Sequence, residues 1–361
     1  MITSMPFAER ITTHKERYAR AFKESMNNPS FWLQSSKAHN ELTSRCHDFT
    51  AIPYWHFTDS GTDALSVAVA MKTEPGDEVI VPGFGWIATP ASVGWIGRKP
   101  VFCDVGMDAL IDPEALSNTI ARHPKAKVLI PVHLYGKIQD IDALTKACNE
   151  ADDLWIVEDC AQSFPIDVEE SEYVQGTSSD VACFSFDIGK QPAVNGTGGA
   201  VATFIPQTID KLKSLAQLGM KPQRDGFEGW GTKSHMDDSS AMIALEDLDI
   251  LDETNDRKKR MDNVKWLDEN LPKRTLIGRN HCGAFYPIWC KKMNNVEAIK
   301  HFADNDVTAS KFMSFTKFPW MEATTPVPNS NLMASQLIHI PTHSYLSQDD
   351  LEHMAELAQL I

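Results

Sequence analysis

A chain of 361 residues with 42% hydrophobic and 23% charged side chains has an ordinary globular make-up and is long enough for one large and one smaller core. A formal net charge of -15 argues against a nucleic-acid partner, although a local cradle of amides and lysines can still hold a phosphorylated small molecule. The seven cysteines are scattered, with no CxxC pair, and no stretch reads as a signal peptide, transit peptide or membrane helix, so a cytoplasmic protein away from membranes is expected.

In chain order, residues from about 6 to 50 read as helices on a polar background. Ser60-Gly61-Thr62 opens an apolar helix through Ala64, Leu65, Val67, Ala68 and Met71, and Glu74–Asp77 is a Pro-Gly turn. Strands follow at Glu78–Pro82, Pro100–Val105 and Ala126–Val132. A helix from about Asp140 to Asn149 leads to a strand at Leu154–Asp159, and Val181–Phe186 and Gly199–Phe204 are the next two. Strands alternating with helices predict a largely parallel sheet covered on both faces, with ligands at the carboxyl ends of its strands. Beyond residue 240 the texture changes: one long charged helix from near Ser239 to Leu271, then strands at Ala284–Trp289 and Leu337–Ile340 and helices at Val296–Asp304 and Gln348–Leu360. The division read from this is a large domain over 1–240 and a small α+β domain over 241–361.

Lys190 carries the strongest chemical signal. It follows the apolar run that starts at Asp180 and precedes the flexible Asn195-Gly-Thr-Gly-Gly199. Asp159 ends the strand upstream. An amine for an aldehyde and an acid for a ring nitrogen are two of the contacts that pyridoxal phosphate requires. A third, for the phosphate, is offered by Ser60-Gly61-Thr62 at a helix start; a fourth, a flat partner for the ring, by Trp86. Each alone has a commoner structural reading, as a helix cap, a core aromatic or a solvated charge. The weight lies in all four occurring in order at the edge of one sheet.

The chain resembles the DegT/DnrJ/EryC1/StrS family of pyridoxal-phosphate-dependent, fold-type I sugar aminotransferases. The resemblance rests on Ser60–Leu65, Pro75–Pro82, Pro131–Gly136, Glu158–Gln162, Asp180–Phe186 with Lys190, Gly198–Ala200, and Ile340–His343 followed by Leu346–Asp350. It implies a mixed seven-stranded sheet in the large domain, with the small domain C-terminal. It also implies roles: Lys190 binds the cofactor covalently and shuttles a proton; Asp159 pairs with the ring nitrogen; Gln162 lies near the phenolic oxygen; Ser185, Gly61 and Thr62 take the phosphate; Trp86 stacks on the ring. Relatives with histidine in place of the lysine are dehydratases, so Lys190 favours transamination from an amino acid, usually L-glutamate, to a keto-sugar, typically nucleotide-linked. Family members are homodimers in which each active site is completed by the neighbour.

Four stretches depart from the family pattern. Gln191-Pro192 follows the lysine where asparagine is usual. Gly196-Thr-Gly-Gly199 replaces Gly-Glu-Gly-Gly. The partner-subunit loop reads Gly231-Thr-Lys-Ser-His-Met-Asp-Asp238, putting Lys233 where an asparagine reaches the phosphate across the dimer and His235 in place of an arginine. The segment 306–331 lacks the usual substrate-loop pattern, which allows an odd sugar, a cyclitol or a non-sugar ketone as acceptor, with Lys311 and Lys317 as candidate contacts for an anionic one. Three rival readings stand beside this. The same cofactor could support elimination or cyclisation. Gly83-Phe-Gly-Trp-Ile-Ala88 with Asp104 about 20 residues on has dinucleotide-fingerprint spacing, which would make an NAD-dependent oxidoreductase, but it places Trp86 and Ile87 at the pyrophosphate and Pro90 in the helix. A non-catalytic regulator would be expected to have lost Lys190 or Asp159. No metal site is expected, because Pro341 separates His339 from His343.

Overall fold

The computed structural model describes residues 2–3, 7–27, 36–148, 154–164, 176, 178–221, 225–271, 285–317, 321 and 324–361. The N-terminal helices are α1 (Phe7–Asn27) and α2 (Lys37–Thr50). β1 (Tyr54–Thr58) runs into α3 (Gly61–Ala70), and β2 (Glu78–Pro82) is followed by the short β3 (Phe84–Gly85) and α4 (Ala88–Gly94). Next come β4 (Lys99–Cys103), α5 (Pro113–Arg122), β5 (Val128–Leu129), α6 (Ile141–Ala147), β6 (Trp155–Asp159), β7 (Val181–Ser185), β8 (Gly199–Thr203) and α7 (Pro206–Ala216). The C-terminal part holds α8 (Asp238–Glu253), α9 (Asp256–Asn270), β9 (Tyr286–Trp289), α10 (Asn295–Ala303), β10 (Met313–Ser314), α11 (Pro328–Gln336), β11 (Leu337–Ile340) and α12 (Gln348–Ala358).

The expected α/β architecture is present. Seven strands form one sheet in the order β1-β8-β7-β6-β5-β2-β4. Its pairs are parallel from β7 through β4, while β8 runs antiparallel to both β7 and β1. The period-2 alternation of strands separates two apolar faces. Val79, Val81, Val157, Val181 and Val201 meet Ala64, Leu65 and Ala68 of α3 and Leu212 of α7 on one side. On the other, Trp55, Phe57, Ala182 and Phe184 meet Leu42 of α2 and Ala244, Leu245 and Leu248 of α8, and Ile80, Val101 and Ile156 meet α5 and α6. Each fully buried side chain of this size contributes roughly 1.5–3 kcal/mol, so both helical layers are held by burial rather than by helix propensity.

Three sequence expectations change. The long helix over Ser239–Leu271 is two helices, because Asn255 takes a left-handed conformation (φ 51°), which asparagine tolerates better than other non-glycine residues. The halves then go to different cores: α8 packs on the large sheet, whereas Val264 and Leu267 of α9 join β9, β11, α10 and α12. The strand expected over Ala126–Val132 is paired only at Val128–Leu129, since Pro131 has no N–H to give to a ladder; beyond it a single bridge joins Val132 to Asp159. The strand read from Ala284 runs Tyr286–Trp289, with Ala284 and Cys282 outside the described residues.

Candidate active site

The carboxyl ends of β6 and β7 and the N-terminus of α3 surround a cavity of about 310 Å³. Gly61, Thr62, Trp86, Asp159, Gln162, Ser185 and Lys190, dispersed over the sequence, all line it. The local reasons are specific. Ser60 caps α3 by accepting the Asp63 N–H at 3.1 Å, so the sequence's ordinary cap reading of this serine is correct. Gly61 has no room for a side chain, because a Cβ there would lie 2.8 Å from the Ser185 Cβ. The first helical amides therefore stand directly against the Ser185 hydroxyl, a pairing suited to an anion. Gly199 is pressed still closer, its Cβ position lying 2.4 Å from the Ser60 carbonyl.

Asp159 ends β6 and is only 4% exposed. The Thr89 hydroxyl donates to Oδ2 at 2.8 Å and the Ala161 N–H to Oδ1 at 3.1 Å. Burial raises its carboxyl above the ordinary value, against the Ala161 and Thr89 hydrogen bonds and the field of Lys190 and His133. A buried carboxylate held short of full stabilisation, at the wall of a cavity, fits a group that brings an N–H cation to it. Gln162 accepts the Tyr135 N–H at 2.8 Å. Lys190 is half-buried, and its N–H donates to the Asp187 carbonyl at 2.7 Å. Trp86 is 54% exposed at the mouth. Among the sequence-predicted residues, Lys233 is the one placed elsewhere: it is exposed, does not line this cavity, and bridges to Gln217 beyond α7.

The C-terminal part supplies a wall that sequence reasoning missed. Phe285, Ser310, Phe312 and His339 line the same cavity, together with Lys311. The His339 and Phe312 rings lie 4.6 Å apart, and the Ser310 hydroxyl lies 2.7 Å from His339 Nε2. Burial lowers the His339 pKa to about 3, so this imidazole is neutral at physiological pH. The Lys311 ammonium donates to Asn295 Oδ1 at 3.0 Å, and the Lys317 side chain is outside the described residues. No local motif announces Phe285 or Phe312; Thr89, three residues past Trp86, could have been found as a hydroxyl near a strand end.

The rival features resolve physically. Phe84 and Gly85 of the dinucleotide-like stretch pair with Ser314 and Met313, and a Cβ on Gly83 would meet the Ser330 Oγ at 2.7 Å, so this loop is packed inside the fold. Pro90, read from the sequence as interrupting the helix, does not obstruct α4, because it lies in the first turn where an N–H has no intrahelical partner. His133, Glu158 and Cys160 are buried together, their ligand-type atoms within 4.8 Å of one another. The Gln139 N–H donates to His133 Nδ1 at 3.0 Å, so Nε2 carries the proton and donates to Glu158 at 2.7 Å. The Gly176 N–H occupies the other Glu158 oxygen at 2.9 Å, and the group reads as a hydrogen-bonded brace. His343 Nε2 meets the Thr3 carbonyl at 2.9 Å, apart from His339. Among the described residues, no helix is long and apolar enough to cross a membrane.

Comparison with known proteins agrees with this geometry. The sequence model of the DegT/DnrJ/EryC1/StrS aminotransferase family matches residues 12–359. The chain is 29% identical over 316 residues to a UDP-2-acetamido-2-deoxy-3-oxo-D-glucuronate aminotransferase of Pseudomonas aeruginosa, covering 85% of this chain and 86% of that one. It is 30% identical over 307 residues to a UDP-N-acetyl-3-dehydro-alpha-D-glucosamine 3-aminotransferase of Acidithiobacillus ferrooxidans, covering 82% and 81%. In fold it is similar to DesV of S. venezuelae, with a TM-score of 0.88 at 23% identity over 100% of this chain and 99% of that one.

Proposed function

This chain belongs to the DegT/DnrJ/EryC1/StrS aminotransferase family and is a pyridoxal-phosphate-dependent transaminase; from that premise we propose that it moves an amino group from an amino acid, L-glutamate, to the ketone of a nucleotide-linked sugar. The observation that carries the reading is the cavity itself: an amine, a buried acid, a hydroxyl and a helix N-terminus face one space. The relatives act, by name, on UDP-linked 3-oxo sugars, which supports a sugar acceptor. Others are named L-glutamine:2-deoxy-scyllo-inosose aminotransferases, including one of Streptomyces fradiae, 29% identical over 343 residues, so a cyclitol ketone with glutamine as donor is the second reading.

Bound in this cavity, the cofactor supplies an electrophilic aldehyde and a protonated ring that accepts electron density. The residues present fit it. Lys190 Nζ would hold the aldehyde end and would be the amine placed to take and return a proton at the donor carbon. Asp159 keeps the ring nitrogen protonated through its ionised carboxylate, and the Thr89 and Ala161 hydrogen bonds fix its direction. Gly61, Thr62 and Ser185 would take the phosphate, Gln162 would lie near the phenolic oxygen, and Trp86 would stack on the ring; all line the one cavity. Lys311 faces the acceptor end, where it can pair with a negatively charged group of the acceptor.

The test is an absorbance spectrum of the purified protein before and after L-glutamate. Loss of the long-wavelength cofactor band, restored by a keto-sugar, is the expected outcome. A band indifferent to glutamate but bleached by glutamine would select the second reading. A band bleached by neither would argue for elimination or another reaction.

The active form is a cytoplasmic homodimer in this reading. Lys233 follows a closely packed turn: the Glu228 N–H donates to the Gly219 carbonyl at 2.8 Å, and a Cβ on Gly219 would lie 2.1 Å from the Gly229 carbonyl. Phe227 and Trp230 on it are 66% and 98% exposed, apolar surface suited to a second copy. Lys233→Ala is expected to weaken cofactor binding roughly ten- to a hundredfold, the loss of one charge-assisted hydrogen bond. Titration of the cofactor into the purified dimer measures this, and unchanged affinity removes Lys233 from the site.

A further inference from the structure

The loop that follows Lys190 is held by buried charges from three helices, of which Arg10, Asp247 and Asp256 do not line the cavity. On α1, Arg10 Nε pairs with Asp247 Oδ1 at 2.8 Å, and Nη2 donates to the Lys190 carbonyl at 3.5 Å. Asp247, on α8, accepts the Ala193 N–H through Oδ2 at 2.7 Å and the Tyr18 hydroxyl through Oδ1 at 2.5 Å. Between these two backbone contacts, the Gln191 side chain donates to Asp256 Oδ2 at 2.5 Å. Asp256, opening α9, is itself paired with Arg260 Nε at 2.7 Å and takes the Ser344 hydroxyl. Arg10, Asp247, Asp256 and Arg260 are each 5% exposed or less.

Two arginines and two aspartates balance in charge, but apolar packing of equal volume would hold the helices together as well or better. What apolar packing lacks is direction. A carboxylate that accepts a particular backbone N–H, and a guanidinium that reaches a particular carbonyl, fix the loop in register as well as in place. The contacts fall on Lys190, Gln191 and Ala193, immediately at and after the lysine. Their partners come from both bodies of the fold: α8 on the large sheet with α1 packed against it, and α9 on the C-terminal side, where Ser344 donates to Asp256. Gln191, which departs from the family pattern, is the side chain through which Asp256 acts.

We propose that Arg10, Asp247 and Asp256 are positioning residues which, through Gln191 and the backbone of residues 190–193, set the reach of Lys190 Nζ into the cofactor end of the cavity. This rests on the reading of Lys190 as the cofactor's covalent anchor.

The test uses the full chain freed of cofactor, in wild-type form, as the Arg10→Met/Asp247→Asn double variant, and as Gln191→Ala. The double variant removes both charges together, so neither is left buried and unpaired. Two probes are compared. Pyridoxal phosphate is trapped on lysine with borohydride and mapped by peptide, which reports Lys190; pyridoxamine phosphate lacks the aldehyde and reports the remaining contacts. The expected result is a rate of Lys190 labelling lower by about tenfold or more in the double variant, the scale of a small misplacement of a reacting group. Gln191→Ala is expected to shift it the same way by less, with pyridoxamine phosphate affinity and melting temperature near wild-type in both. Wild-type labelling rates in folded variants would overturn the proposal. So would a parallel loss of both affinities with melting temperature, the signature of a purely structural cluster. Should the double variant not fold, Gln191→Ala, a half-buried change, decides alone. Wild-type protein labelled elsewhere than Lys190 would instead bring down the underlying reading, and the proposal with it.

Discussion

Lys190→Ala is expected to abolish transamination, lowering turnover by about 10⁴-fold or more, because one amine serves both as covalent anchor and as proton shuttle. The cavity offers a single plausible substitute among the described residues: Lys190 and Lys311 are the lysines that line it. Lys311 comes from the C-terminal part and has its ammonium on Asn295. Borohydride trapping and peptide mapping of the wild type should therefore mark Lys190, and the alanine variant should bind the cofactor without a covalent mark. A label on Lys311, or a Lys190→Ala variant with substantial turnover, would show that the lysine has been misassigned.

Asp159→Asn separates cofactor capture from turnover. An amide oxygen can keep the Ala161 N–H, with the amide NH2 donating to a turned Thr89 hydroxyl, but it cannot hold a proton on a ring nitrogen, so trapping on Lys190 should persist while turnover falls about 10²–10³-fold, the scale of losing one preorganised electrostatic partner. The same substitution should act oppositely on the stability of the cofactor-free protein. Burial raises the Asp159 carboxyl above its ordinary value of 3.8. The folded chain then holds that proton more tightly than the unfolded chain does, so ionisation at neutral pH subtracts stability. Asparagine removes the penalty. Melting temperature at pH 7 should rise, and the gain should shrink as the pH falls through the raised pKa and vanish below the ordinary carboxylate value. A variant with normal turnover, or one equally destabilised at every pH, would count against a functional acid here.

The two effects belong together. A carboxylate kept buried and incompletely compensated is a liability to the empty protein and an asset once a cation sits against it. Lys190 and Asp159 were both legible from sequence for that reason: strand ends in a parallel sheet converge, and a lysine and an aspartate at two such ends converge with them. Gly61 was read from the sequence as part of a phosphate cradle and Ser185 joined it by resemblance, while only the fold explains the glycine, through the 2.8 Å approach of its Cβ position to the Ser185 Cβ.

What the sequence determined by itself is therefore the large-sheet half of the protein: its alternating strands and helices, its mixed seven-stranded sheet by resemblance, and the residues at its strand ends. These follow from local periodicity and from motifs short enough to survive in one stretch of chain. The tertiary structure alone decided the rest. Phe285, Ser310, Phe312 and His339 carry no motif and reach the cavity because β10 pairs with β3 and β11 with β9. Arg10 and Lys190 lie 180 positions apart, as do no residues that a local pattern could relate. The break at Asn255 was hidden because its polar neighbours continue a helical texture on both sides, and only the separation of α8 and α9 into different cores makes a left-handed residue there the favourable solution.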